Sequence, residues 1–340
     1  MKWTIISSLL FLFGCATQDD RPMPADGEAL LREFEVTQEE QDKFSFEEIK
    51  PTPAPIAQTR ENPLKPVSKK ASSTKKELVN KIAVQKSAKI YPENYPENYK
   101  ELFLDAQKTW KQFKPLIRVG ESINFEITYL GIKAGNIKFM VLDNGRRGDD
   151  LIHHFKATLS SADYYKYIYK LDDYVESFIL ADTFLPLKYT LIQRESAQSV
   201  DELQLFDHEN LQNKQWFKKI KDGKTKKDDK VGFVPELFLD PLSLLAFFRG
   251  LPLVKGDVYS VPVIVRSKVL KVTATVLDYE AIEVLDKGRD AVKMSVYVEP
   301  TEEGKKPTTM NLWYNRASSR ELLKFNAELK FGSVEGEWVP

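Results

Sequence analysis

The side chains best suited to catalysis are few in this sequence, and their spacing favours no particular reaction. His153 and His154 are adjacent on a predicted strand, so they point to opposite faces and cannot share one metal ion. His208 follows Asp207, and an aspartate can orient a histidine as a general base. A histidine at the end of a strand is the more ordinary interpretation.

The carboxylates give no stronger signal. Asp172-Asp173 and Glu302-Glu303 are adjacent pairs that resemble turn or strand-end residues. A glycosidase needs two acids that face each other across a cleft, which sequence alone cannot display. No Gly-x-Ser-x-Gly elbow, phosphate-binding loop or dinucleotide fingerprint occurs. We therefore expect no catalytic residue, no metal and no cofactor, and predict that the protein is not an enzyme. A hydrolase with a carboxylate pair brought together by the fold is the alternative.

The single cysteine, Cys15, lies where chemistry is expected. Lys2 and the apolar run Trp3–Phe13 have the charge and length of an export signal, too short for a membrane helix. The ending Leu12-Phe13-Gly14-Cys15 resembles the bacterial lipobox, although a residue smaller than Phe13 is usual there. We predict a lipoprotein signal peptide over residues 1–15, with Cys15 lipidated by acyl chains such as palmitate. An ordinary secretory signal is the alternative.

The residue after the cysteine indicates which membrane holds the protein. Ala16 stands where an aspartate would favour the inner membrane in enteric bacteria, so we expect the outer membrane, with the domain in the periplasm. Several acyl chains anchor firmly where one is marginal. The membrane is therefore an expected partner.

Charge and cysteine content exclude several classes of protein. Acidic and basic residues balance at 50 each, so no overall field favours nucleic acid. One cysteine permits neither a disulfide within the chain nor a cysteine-rich metal site. Apolar residues make up 42% of the chain, enough for a folded core.

Residues 16–90 are rich in proline, lysine and glutamate, a composition that predicts a disordered tether. Helices are conceivable over Glu28–Glu40 and Lys75–Ser87, but neither has a convincing apolar face. The basic half, Lys65–Lys86, is interpreted as a solvated linker or as a contact for anionic lipid headgroups or cell-wall polymer.

From residue 119 the hydrophobic pattern has the period of strands. Ile123, Phe125, Ile127 and Tyr129 alternate with polar residues, and a glycine-flanked turn leads to a second alternating run, as in a hairpin. About a dozen such segments follow, and Lys224–Lys230 is expected to be a loop. We predict a short helical lead-in over residues 91–118 and a β-rich barrel-like domain over residues 119–340.

One stretch within that domain is helical by every signal. Asp240 is a good N-cap, Pro241 suits the first helical position, Gly250 suits a left-handed end, and Pro252 prevents continuation. Leucines and phenylalanines go most of the way round it, which predicts burial. The fold class is thus mainly β: an antiparallel closed or half-open barrel-like sheet around one short buried helix. The helix either serves only the core or lines a ligand cavity.

Aromatic residues are the candidates for the lining of a pocket for sugar or acyl chains. Core packing is the alternative explanation for them. The candidate pocket residues are Tyr164, Tyr167, Phe247, Phe248 and Trp313.

Several motifs together resemble one bacterial envelope family, numbered 3108 among domains of unknown function. The resemblance covers roughly Val119–Trp338. The segments that carry it are Gly120-Glu121, Tyr129–Gly135, Asp173–Ser177, Phe206-Asp207, Asp240–Leu245 with Arg249, and the closing segment from Leu312–Tyr314 to Gly332–Val334. It implies an exported or lipid-anchored β-rich protein and supplies no catalytic residue. We therefore predict a non-catalytic periplasmic module that binds a lipid, a glycan or a partner protein. A structural or assembly protein that contacts the cell wall is the alternative.

Overall fold

The computed structural model describes residues 28–49, 91–302, 305–328 and 332–340. Cys15, the signal peptide and the basic half of the predicted tether lie outside the described residues. Within the described part of the chain, no helix has the length and apolar character needed to cross a membrane.

Most of the described chain is β-strand. The strands follow the alternating or continuously apolar segments of the sequence, and their bounds are β1 Glu47–Glu48, β2 Ser122–Tyr129, β3 Ile132–Val141, β4 Gly145–Arg147, β5 Asp150–Ser161, β6 Leu171–Leu180, β7 Pro186–Glu195, β8 Gln198–Asp207, β9 Gln212–Lys221, β10 Lys224–Phe233, β11 Val258–Val265, β12 Lys268–Val284, β13 Lys287–Pro300, β14 Thr308–Asn315, β15 Leu322–Glu328 and β16 Ser333–Val339. The helices are α1 Glu28–Glu33, α2 Gln38–Phe44, α3 Glu97–Trp110 and α4 Pro241–Arg249.

The strands form one antiparallel sheet that is not closed. Its order is β10-β9-β8-β7-β6-β5-β3-β2-β16-β15-β14-β13-β12-β11, so β10 and β11 are its two edges. The last strand, β16, pairs with β2, which joins the two ends of the domain. The sequence left a closed and a half-open sheet as alternatives, and the structure has the half-open sheet. At the edge strand β11, Leu239 makes an isolated parallel bridge to Val263.

The lysine-rich segment after Asp222-Gly223 differs from the expected loop. It is the edge strand β10, paired with β9 over its full length and largely exposed. Lysines on an edge strand discourage pairing with another chain, so a polar segment suits this position at the edge of the sheet.

The turns between successive strand pairs collect at one end of the sheet, which we call the turn rim. It comprises the β2–β3, β5–β6, β7–β8, β9–β10, β11–β12, β13–β14 and β15–β16 connections. Its position follows from the register of the neighbouring strands, in which the partners nearest these turns are Tyr129↔Ile132, Gly135↔Ser161, Leu171↔Glu195, Ser199↔Ile220 and Lys221↔Lys224.

Helix α4 lies inside the curved sheet, as the apolar sequence around it predicts. Phe247 and Phe248 are 0% exposed, and Leu244 and Leu245 are half-buried. Phe247 packs against Trp110 of α3 and against Phe113, with ring centroids 4.5 Å and 4.1 Å apart. The α3 helix, expected over Tyr99–Phe113, thus closes the core on the far side of α4.

The end of α4 differs from the predicted left-handed glycine. Gly250 has a φ of −84°, in the right-handed region. The absence of a side chain matters for another reason, since a Cβ there would lie 2.6 Å from the carbonyl oxygen of Lys114. The amide of Lys114 donates to the carbonyl of Gly250 over 2.9 Å, so two backbones meet at this residue.

Part of the predicted tether is folded. In residues 28–49, α1, α2 and β1 pack on the outer face of the sheet, where Leu30, Leu31, Val36 and Phe44 are buried. Their partners include Leu203 of β8. The expectation of an unstructured tether does not describe this segment, because its few apolar residues find an apolar sheet face that the local sequence does not reveal.

Candidate functional site

The candidate site is an apolar cavity between α4 and the concave face of the sheet, with a volume of about 180 Å³. No charged side chain is among the described residues that line it, and Thr308 and Tyr189 carry the only hydroxyl groups there. Such a space offers dispersion contacts and excludes groups that need hydrogen bonds.

One face of α4 forms the floor of the cavity. Pro241, Leu242, Leu244 and Leu245 line it, whereas Phe247 and Phe248 belong to the core behind the helix. Because the helix is apolar on nearly every side, it serves the core and the cavity at once. The helix therefore does not serve only the core, because it also lines a cavity.

The sheet supplies the walls through alternate residues of its strands. Ile137 and Phe139 of β3 point inward, and so do Val263 and Val265 of β11. This period of two follows from the pleat of a strand. Val265 is the last residue of β11 and Thr308 the first of β14, so the lining extends to the turn rim.

The first turn of α4 is held by Asp240, which is 0% exposed. Its carboxylate accepts hydrogen bonds from the amides of Leu242 and Ser243 at 2.8 Å and 2.9 Å, and from the hydroxyl of Ser177 on β6. Burial raises the pKa of Asp240, although these hydrogen bonds act in the opposite direction. The N-cap therefore joins the start of the helix to strand β6 of the sheet.

The last turn of α4 is held by Arg249. Its guanidinium donates to both carboxylate oxygens of Glu121, at 2.5 Å and 2.7 Å, and to the carbonyl of Ser319 at 2.7 Å. Midway along the helix, the hydroxyl of Tyr314 donates to the carbonyl of Leu245 over 3.0 Å. These contacts fix the distance between α4 and the sheet, and so preserve the cavity.

The five pocket residues chosen from sequence lie elsewhere. Tyr164 and Tyr167 are exposed in a turn of the rim, at 53% and 85%. Phe247 and Phe248 are core residues, and Trp313 belongs to a separate cluster with Val284 and Leu323. Trp313 also donates its ring N–H to Glu280.

Most residues that line the cavity are aliphatic residues and phenylalanines of the alternating strands, and the sequence analysis did not name these strand residues as pocket candidates. Their alternation was visible in the sequence. The sequence pattern does not tell which of the inward positions lie opposite α4, because that depends on the curvature of the sheet.

A second cluster, polar and buried, lies on β6 and β7. Asp173 and Glu195 are 4% and 3% exposed, and the side-chain amide of Gln193 donates to both, at 3.2 Å and 3.0 Å. The hydroxyl of Tyr169 donates to Glu195 over 2.6 Å. Burial and then the charge of Glu195 raise the pKa of Asp173 well above its usual value, and burial also raises the pKa of Glu195.

The hydrolase alternative requires two acids that converge in a cleft, and the fold does bring Asp173 and Glu195 together. Neither Asp173 nor Glu195 is among the residues that line the cavity, however, and both are buried among protein groups. The arrangement holds β6 and β7 together where their strands reach the turn rim.

The histidines are engaged in contacts between side chains or with the backbone. His154 lies 3.4 Å from Glu176, and the ring of His208 donates to the carbonyl of Pro186 over 2.7 Å. Asp207 binds Lys43 at 2.7 Å and does not orient His208. In the described part of the chain no group of three or more His, Cys, Asp or Glu residues could hold a metal ion.

The fold and the cavity define a half-open antiparallel β-barrel that encloses an apolar helix, with an apolar cavity beside that helix. The chain belongs to the family described as "Protein of unknown function (DUF3108)", whose model matches residues 124–338. No match was found among the curated proteins.

Solved structures with a similar arrangement come from several bacteria. A β-barrel-like protein of domain of unknown function DUF1849 from Brucella abortus has 11% identity and a TM-score of 0.42, over 66% of this chain and 97% of that one. The hypothetical lipoprotein YmcC from Escherichia coli has 9% identity and a TM-score of 0.26, over 68% and 94%. The lipoprotein LppX from Mycobacterium tuberculosis has 9% identity and a TM-score of 0.20, over 72% and 95%. At such identities a likeness concerns the fold alone.

Proposed function

We propose that the protein is a non-catalytic module of the bacterial cell envelope that binds an acyl chain of a lipid in the cavity beside α4. The observation that carries the proposal is the lining: leucine, valine, phenylalanine and methionine side chains without a charged group. An acyl chain gains from removal of its surface from water, about 25 cal/mol for each Å², and asks for no hydrogen bond.

The same lining separates the three ligand classes predicted from sequence. A glycan needs several hydrogen-bond donors and acceptors, and the described lining offers two hydroxyl groups. A partner protein needs an open surface of the order of 800 Å² on each side, which a cavity of this kind is not. The lining therefore supports a lipid chain as the ligand of this cavity.

The volume indicates how much of the ligand is enclosed. An engineered apolar cavity of roughly 150 Å³ in another protein stays dry and accepts benzene. The present cavity, about 180 Å³, is of that order. It fits a segment of one chain, with the remainder of the lipid outside at the turn rim.

The proposed location in the cell envelope rests on the sequence. The lipobox-like ending at Cys15 supports attachment to a membrane through acyl chains. An outer-membrane anchor with the domain in the periplasm agrees with Ala16 after the cysteine, and is part of the proposal.

The test is displacement of a fluorescent apolar probe, N-phenyl-1-naphthylamine, by palmitic acid. We would use residues 16–340, which retain the whole described part of the chain without the signal. The wild-type chain is expected to bind the probe, and palmitic acid, but not a soluble chito-oligosaccharide, is expected to release it.

Two variants place the binding in the cavity. Leu244→Trp and Val265→Phe add volume from the helix side and from the wall, and both are expected to abolish probe binding. Leu277→Trp adds the same ring at a residue that is 43% exposed and outside the lining, and is expected to change nothing. Unchanged binding in folded Leu244→Trp and Val265→Phe would exclude the cavity as the site, as would absence of binding by the wild-type chain.

A further inference from the structure

The largest exposed apolar side chains of two neighbouring turns lie together at the turn rim. Leu130 and Ile132 flank the β2–β3 turn and are 63% and 57% exposed. Tyr164, Tyr167 and Ile168, in the β5–β6 connection, are 53%, 85% and 68% exposed. We call these five residues the rim patch.

Contacts between the two turns make the rim patch one surface. The hydroxyl of Tyr164 donates to the carbonyl of Lys133 over 2.5 Å, and the amide of Ala162 donates to the carbonyl of Ala134 over 2.9 Å. Tyr165, between the exposed residues, is buried and anchors the turn. The exposed side chains are therefore held outward by a fixed backbone.

Side chains of this kind suit a membrane interface. Tyrosine combines an apolar ring with a polar tip and is enriched at the level of the lipid headgroups. A contiguous exposed apolar patch on a folded protein commonly marks an interaction site. Isolated exposed leucines need no such explanation, but five large apolar residues on two adjoining turns do.

A cationic hairpin lies farther along the same rim. On β9 and β10, Lys219 is directly opposite Lys226 and Lys221 is directly opposite Lys224. Residues two apart on a strand share a face, so these four lysines project from one face of the hairpin tip. Like charges placed directly opposite each other destabilise a strand pair. Asp222 lies in the turn between Lys221 and Lys224, and Asp228, on the same face of β10, lies 3.9 Å from the Nζ of Lys226.

Protection of the sheet edge does not account for these lysines. It would explain Lys224 and Lys226, which lie on the edge strand β10. Lys219 and Lys221 lie on β9, which is paired on both sides. An anionic surface at the hairpin tip would relieve the repulsion between Lys221 and Lys224, which lie directly opposite each other.

The positive charge of the β9–β10 lysines points to an anionic membrane as the surface that the rim contacts. Lysines near a membrane are attracted by anionic lipid headgroups, an attraction that adds to the insertion of apolar residues. The cavity lining also reaches the turn rim through Val265 and Thr308. A bilayer that contacts the rim would therefore meet the cavity, the rim patch and the lysines on the same side of the protein.

We propose that the turn rim docks on the surface of an anionic phospholipid bilayer, with Tyr167 and Ile168 entering the interface and the β9–β10 lysines contacting headgroups. This goes beyond the proposed function, since docking needs no ligand in the cavity. It gives the module an orientation in which a lipid chain can pass between bilayer and cavity without crossing water.

The test is co-sedimentation of residues 16–340, which lack the signal and the lipidated cysteine, with vesicles. Vesicles of phosphatidylcholine with about 30 mol % phosphatidylglycerol are expected to bind the chain more tightly than pure phosphatidylcholine, and added salt to weaken binding. Tyr167→Ser/Ile168→Ser and Lys221→Glu/Lys224→Glu are each expected to weaken binding roughly tenfold or more.

The matched control lies at the opposite end of the sheet. Leu285 and Lys287, in and after the β12–β13 turn, are also exposed, and Leu285→Ser/Lys287→Glu is expected to bind vesicles as the wild type does. Failure of the wild-type chain to bind anionic vesicles, or equal binding by both rim variants and the control, would overturn the proposal. Displacement of the apolar probe, measured without vesicles, reports the cavity separately and is expected to be unchanged in the rim variants.

Discussion

Arg249 ends helix α4 with a bidentate contact to Glu121, a residue 128 positions earlier in the chain that opens the first strand of the domain. The two side chains are 6% and 12% exposed. The pair joins the central helix to the sheet at the end opposite its N-cap. Together with the Asp240 cap and the hydrogen bond from Tyr314, it fixes where the floor of the cavity lies.

Loss of one member of this pair should be costly. Removing one partner of a buried ion pair typically costs about 3–5 kcal/mol, because the remaining charge is left without compensation. Arg118 remains 3.7 Å from Glu121, and the carbonyl of Ser319 remains an acceptor for Arg249. We therefore expect Arg249→Met and Glu121→Gln each to lower the free energy of unfolding by about 3 kcal/mol, the lower end of that range, as measured by urea denaturation. The double variant should lose less than the sum of the two.

An exposed pair provides the comparison. Arg147 and Asp150 lie 3.1 Å apart with 30% and 45% of their side chains accessible. Arg147→Met should cost below about 1 kcal/mol, as exposed pairs do. A cost for Arg249→Met no larger than that of Arg147→Met would contradict the role given to the buried pair.

The N-cap of α4 should matter more than an ordinary cap. Asp240→Ala leaves the amides of Leu242 and Ser243 and the hydroxyl of Ser177 without an acceptor, for a cost of about 2 kcal/mol or more. Asp240→Asn keeps one acceptor oxygen and should cost less. Chemical denaturation of both variants measures the difference.

Thr37, the N-cap of α2, is the control for this prediction because it is exposed. Thr37→Ala should cost no more than about 1 kcal/mol. If Asp240→Ala were as mild as Thr37→Ala, the link from α4 to Ser177 would have no energetic weight.

A ligand in the cavity should stabilise the fold. Binding to the native state alone adds about 2.7 kcal/mol when the free ligand is at 100 times its Kd. Palmitic acid is therefore expected to raise the Tm of the wild-type chain and of Leu277→Trp, measured by differential scanning calorimetry. Leu244→Trp should show no such rise, and a rise equal to that of the wild type would argue for binding elsewhere.

Acid should weaken the outer face of the sheet through Glu176. Burial alone would raise the pKa of its carboxyl, but His154, whose Nε2 lies 3.4 Å away, and the charge of Lys156 outweigh burial and lower the pKa to about 2. Because the folded pKa lies below the ordinary value of 4.5, the carboxylate stabilises the fold above that value. The stabilisation is lost as the pH falls from there through about 2.

Glu176→Gln should remove this part of the pH dependence. The difference in unfolding free energy between wild type and variant should shrink by roughly 2–4 kcal/mol between pH 6 and pH 2, at about 1.36 kcal/mol for each pKa unit. Urea denaturation at a series of pH values measures it. Parallel curves for the two proteins would mean that Glu176 does not carry the effect.

The packing of residues 28–49 can be tested through Leu30, which is 0% exposed. Leu30→Asp introduces a charge into an apolar cluster, so α1 should detach from the sheet. The amides of Phe34 and Val36 donate to the carbonyls of Leu30 and Leu31, and hydrogen exchange at both should accelerate at least about tenfold. Arg32→Asp, on the exposed side of the same helix, should leave the exchange nearly unchanged.

Local sequence determined the elements whose ends or faces are marked by capping residues, prolines or hydrophobic alternation. The N-cap and the first helical residue of α4 were readable from Asp240 and Pro241, and its burial from the apolar residues around it. The β2–β3 hairpin was readable from alternation at Ile123, Phe125 and Ile127. In each case the decisive forces act between residues near in sequence: capping hydrogen bonds, fixed φ angles and the pleat of a strand.

Tertiary structure decided what depends on distant segments. The cavity takes its walls from strands between β2 and β15, and only their curvature selects which inward residues face α4. Asp173 and Glu195 meet because β6 and β7 pair in one register, and Leu30 is buried because the face of β8 that it covers is apolar. These contacts join residues far apart in the chain, and their energy depends on mutual position and burial, which a linear pattern does not encode.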